Sequence, residues 1–140
     1  MQLKRFLISA IVSYLGIFAA AAVVLMLLGV DASRPDNLSV LIWLITMLIT
    51  LTIVGLTSHW YFAGRGVAGG TTKGLEYGIG IVVLGFFFDL LSIIPIALPR
   101  DEHPFKVLLE YYSQPYFLPT LAVVIAISIF TGHQANPKAK

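Results

Sequence analysis

Between positions 6 and 30 the chain runs for 25 residues without one charged side chain. As an α-helix such a run measures roughly 37 Å, more than the roughly 30 Å hydrocarbon layer of a bilayer. Further apolar runs lie at about 38–62, 73–97 and 115–131, separated by polar or glycine-rich connectors. The whole chain is 58% hydrophobic and 11% charged, with a mean hydropathy of +0.90. Soluble domains carry about 25% charged residues, so the composition belongs to the membrane class. The sequence therefore predicts an all-α integral membrane protein, a four-transmembrane-helix bundle forming a single domain over residues 1–140.

The first run follows Lys4 and Arg5 and contains alanines at 19–22, as a secretory signal does. It continues through Val23, Leu25 and Leu28, past the roughly 7–15 apolar residues of a signal, so an uncleaved first span is expected. Residues 31–37 are turn-rich. Trp43 lies near one end of the second run and Trp60 and Tyr61 near the other, the headgroup levels that such rings prefer. The connector at 64–72 is glycine-rich but lacks the Gly-Lys-Ser/Thr ending of a phosphate loop. Between the third and fourth runs, residues 105–112 form a short amphipathic stretch opened by Pro104. It is expected to be an interfacial helix lying on the membrane surface.

In this scheme Lys4, Arg5, Arg65, Lys73, Lys138 and Lys140 fall on one side, and Arg34, Arg100 and Lys106 on the other. The excess of positive charge predicts a multi-pass protein of the inner (plasma) membrane with both termini cytoplasmic. The chain has no cysteine, which removes disulfides and thiolate chemistry. No basic patch interleaved with aromatics points to nucleic acid.

Helices in lipid associate through close backbone approach and polar contacts. Helical spacing in the third run aligns Gly74, Gly78, Val82, Gly85, Asp89 and Ser92 as a small and polar seam. Ile79, Val83, Phe87, Leu90 and Ile94 oppose it as a lipid-facing side. Asp89 is the deepest ionisable residue, about nine positions or roughly 13 Å from the outer end of its span. A membrane-buried charge costs roughly 2.5–3.5 kcal/mol on insertion scales, so this residue asks for a reason. Depth matching offers Thr46 and Thr50 of the second span as its partners. Asp89 is then either a protonated packing residue bonded to Thr46 or a backbone carbonyl, or a proton- or cation-coupled site. It could also meet a basic residue from another protein's helix. At the opposite membrane face His59 and Glu76 share a level and are interface candidates. His103 beside Asp101 and Glu102 forms an unspecific loop cluster better suited to capping a helix. No metal site, cofactor or catalytic set is expected.

The run Lys73, Gly74, Leu75, Glu76, Tyr77, Gly78, followed by Phe87, Phe88, Asp89, Leu90, Leu91 and a proline-terminated span, resembles small four-span bacterial membrane proteins of unknown function. Their usual order is Glu-Gly-Leu, where this chain has Gly-Leu-Glu. The resemblance covers one helix and implies a four-helix membrane protein without specifying an activity. The expected role is a non-enzymatic structural or accessory subunit, with a small proton- or cation-coupled transporter or channel using Asp89 as the alternative. Its expected partners are the lipid bilayer and either copies of itself or another membrane protein.

Overall fold

The computed structural model describes residues 2–30, 39–101 and 103–135. The expected connector at 31–37, Glu102 and the tail lysines Lys138 and Lys140 lie outside the described residues. Five α-helices follow one another: α1 (Leu3–Leu27), α2 (Val40–Phe62), α3 (Thr71–Ala97), α4 (Pro104–Tyr112) and α5 (Phe117–Gln134). A 3-10 turn, Leu98–Arg100, continues α3. No strand occurs among the described residues. Helices α1, α2, α3 and α5 are the four long and apolar enough to cross a membrane, and α4 is the shorter helix between the third and fourth.

The helix ends differ from those that hydropathy alone suggests, for local reasons. Helix α1 begins at Leu3 and stops at Leu27, not at 6 and 30. Gly29 adopts a left-handed φ of 65°, its N–H bonds to Met26 O at 3.2 Å, and the Val30 N–H bonds to Leu25 O at 3.0 Å. This pair of bonds closes the last turn and needs a residue free of β-carbon strain, so a glycine ends a helix inside an apolar run. Helix α2 begins after Ser39, whose hydroxyl accepts the Ile42 N–H. Helix α5 runs to Gln134, beyond the expected 131, because Gly132 packs against α3.

That contact brings two helix backbones together. A β-carbon added to Gly74 would lie 2.5 Å from Ser128 O, and one added to Gly132 would lie 2.7 Å from Gly74 Cα. One on Gly78 would lie 3.0 Å from Ser128 Cβ. The Gly70 N–H bonds to Gly132 O at 2.6 Å, tying the connector before α3 to the end of α5. Around this contact lies a core of Phe6, Ala10, Val54, Tyr61, Phe62, Tyr77, Ile81 and Val124. Tyr77 is 1% exposed and donates to Ser9 Oγ at 3.1 Å. Ser13 and Thr57 hydroxyls meet at 2.6 Å, joining α1 to α2. Arg5 donates to the carbonyls of Tyr61 and Trp60 and lies 4.0 Å above the Trp60 ring. This closed end gathers the start of α1, the 63–70 connector and the end of α5.

The expected seam on α3 therefore holds in part. Gly74 and Gly78 are buried against α5, but a β-carbon on Gly85 would meet nothing within 4 Å, so Gly85 is not a packing position. On the opposite side Ile79, Val83 and Phe87 are exposed as expected, whereas Leu90 packs against a second cluster. Toward the end of α3, Phe86, Leu90, Ile93 and Ala97 belong to this second cluster with Val107 and Leu108 of α4. Ala substitution should separate the glycines. Gly74→Ala is expected to destabilise the purified protein by about 1–3 kcal/mol through overpacking. Gly85→Ala should be neutral or stabilise by up to about 1 kcal/mol. Unfolding in detergent micelles measures both.

Candidate functional site

Every fully buried residue of α1 lies before Tyr14; beyond Ser13 the helix is half-buried or exposed. A cleft of about 660 Å³ opens between all five helices and is lined on α1 from Tyr14 onward. Asp89 and Ser92 of α3 line it, with Tyr14 and Phe18 of α1, Trp43 and Thr46 of α2, and Tyr116, Phe117 and Thr120 around the start of α5.

Helix α4 forms part of the wall, and local chemistry sets it there. Pro104 occupies its first turn, where the missing N–H costs nothing, and His103 caps it by accepting the Phe105 N–H at 3.3 Å. Val107 (3% exposed) and Leu108 (0%) bury against Ile93 and Ala97 of α3. The amphipathic face that the sequence assigns to the membrane surface is thus spent on α3, while Phe105 and Leu109 remain exposed. Docking in this register brings Tyr112 inward. Its hydroxyl donates to Asp89 Oδ2 at 2.9 Å, and its ring stacks on Phe117 at a centroid distance of 4.0 Å. Burial, and after it the adjacent Asp89 carboxylate, push the Tyr112 hydroxyl pKa upward. The phenol accordingly keeps its proton and remains a donor to the carboxylate.

Thr46 shares the cleft with Asp89, and its donor is used within its own helix, at Ile42 O (2.8 Å) and Trp43 O (2.9 Å). Thr50 does likewise, donating to Thr46 O at 2.9 Å. Ser92 donates to Phe88 O at 2.8 Å, which leaves its oxygen to accept the Tyr14 hydroxyl at 2.7 Å. That bond crosses from α1 to α3 beside Asp89. Across the cleft, Trp43 Nε1 donates to Thr120 Oγ1 at 3.1 Å and its ring lies 4.9 Å from Tyr116, fixing the indole in the wall.

The structure therefore brings Asp89, Ser92 and Thr46 to one cleft and leaves Thr50 beneath it. It places Gly78 in the closed core and Gly85 in open space. His59 and Glu76 are exposed at the other end; Glu76 pairs with Lys73 on its own helix at 2.8 Å, and no hydrogen bond joins it to His59. Tyr112 and Tyr14 are the hydrogen-bonding partners that sequence reasoning missed. Tyr112 carried a signal, an aromatic hydroxyl at the inner end of an amphipathic segment adjoining the acidic span. Compared with known protein families, curated proteins and solved structures, the chain matches none.

If the Tyr112–Asp89 bond ties α4 to the bundle, removing either partner should abolish the same interaction. Tyr112→Phe and Asp89→Ala should each destabilise, and the double variant should lose less than their sum. The expected coupling is about 0.6 kcal/mol, with roughly 1.7 kcal/mol as the upper range for such bonds in lipid. Additive losses in a double-mutant cycle would show that the two side chains act independently.

Proposed function

We propose that this protein is a non-enzymatic integral membrane protein that acts as a structural or accessory subunit. The observation carrying this reading is how the span hydroxyls are used. Ser9, Ser13, Thr57, Ser92 and Tyr14 join helices to one another, and Asp89 receives Tyr112 from α4. Polar groups engaged in this way hold a bundle together and need no substrate to account for them. A second reading, a small proton- or cation-coupled transporter, draws support from the position of Asp89, which lines the cleft and not the closed core. Both readings sit in the inner membrane with the termini cytoplasmic. Supporting that orientation, Arg5, Arg65 and Lys73 gather at the closed end.

Two measurements test these readings. Reporter fusions after Lys140 and within residues 66–70 should both signal cytoplasm, and an external signal from either would overturn the orientation. Proteoliposomes carrying the native chain should show no more proton or monovalent-cation flux than those carrying Asp89→Asn, whose amide oxygen still accepts the Tyr112 hydroxyl. Flux lost with Asp89→Asn, in protein that inserts normally, would replace the accessory reading by the transporter.

A further inference from the structure

We infer that the Asp89 cleft is a binding site for a lipophilic organic cation, an ammonium or phosphonium centre carried on an apolar or aromatic body. The inference goes beyond the accessory reading and requires no transport. Size is the first ground: about 660 Å³ falls within the roughly 300–1,000 Å³ of small-molecule sites. Its lining is mainly apolar, as such sites are, with few polar groups to orient a guest.

Sign is the second ground. Among the described residues Asp89 is the one acidic side chain that lines the cleft, and no described lysine, arginine or histidine lines it. Arg5 and Lys73 are occupied at the closed end, and Lys106 is exposed on α4. An anionic guest would meet this carboxyl with no basic side chain among the described lining residues to offset it. The aromatic walls supply the third ground. Tyr14, Phe18, Trp43, Tyr116 and Phe117 surround the same space, and the faces of such rings attract cations, most strongly when desolvated. Together they offer a large monocation a carboxyl group at one point and aromatic rings around it. A small divalent metal would be poorly served, because it demands six or more oxygens and the cleft offers a single carboxylate.

The two tryptophans give a direct readout. Trp43 is in the cleft wall and Trp60 lies at the closed end, so a Trp60→Phe background leaves Trp43 as the sole reporter. In detergent micelles this protein is titrated with tetraphenylphosphonium and with tetraphenylborate, which match in shape and differ in sign. The expected result is saturable quenching of Trp43 by the phosphonium and none by the borate. Asp89→Asn should weaken the phosphonium response at least tenfold. Ala22→Phe, which fills the cleft and leaves Asp89 in place, should do the same. Equal saturation by both ions, or a phosphonium response that Asp89→Asn leaves unchanged, would overturn the inference in favour of an uncharged apolar cleft. Silence from both ions in folded protein would overturn it as well. Should Asp89→Asn fail to fold, the borate comparison and Ala22→Phe decide. Loss of phosphonium binding alongside an intact Tyr112–Asp89 coupling would leave the accessory reading standing.

Discussion

Two helices can bring their backbones into contact only where neither projects a side chain, and α3 and α5 do so at Gly74, Gly78 and Gly132. In lipid no solvent-driven burial pulls helices together, so dispersion across such a contact and a few polar bonds must hold the bundle. The contact lies at one end of the molecule. Away from that contact the helices carry larger side chains, and an opening lies between them. The short α4 fills part of the opening through Val107 and Leu108; the rest is the cleft. Close packing and the open site are thus two outcomes of the same asymmetric distribution of small residues.

The position of Asp89 follows from this geometry. Buried in a tight helix interface, a carboxylate would have to be matched by a cation or several donors. At the base of the cleft one donor, the Tyr112 hydroxyl at 2.9 Å, comes from outside the four spanning helices. The aromatic stack of Tyr112 on Phe117 and the edge contact with Phe86 hold that donor in place. Helix α4 is therefore more than a connector, because it brings a hydroxyl to the acid of α3.

Much of the architecture was legible in the sequence. Apolar length gave the four spans and the short helix between the third and fourth; Pro104 gave the start of α4, and spacing placed Gly74 and Gly78 on the packing side. The failures have particular causes. Residues at equal depth on two helices still need matching rotation, and Thr46, though at the right level, closes its hydroxyl onto its own helix. Gly85 shares a stripe with Gly78, but a β-carbon there would meet nothing within 4 Å. Tyr112 was missed because partners were sought only within spans, whereas an amphipathic helix can turn its apolar face onto protein as readily as onto lipid. The end of α1 was set by the backbone freedom of Gly29, which hydropathy does not register.

The serines of α1 carry a consequence for the order of assembly. Ser9 is joined to Tyr77 across 68 positions of sequence, and Arg5 to Tyr61 across 56. During synthesis α1 reaches the bilayer well before either partner exists. Ser9 donates to Phe6 O and Ser13 to Ser9 O, each within the same helix. These internal bonds spare the young helix any orphaned donor while it waits alone in lipid. Each serine oxygen still has a lone pair to receive a later hydroxyl, so the polar groups that eventually join the bundle are harmless before it exists.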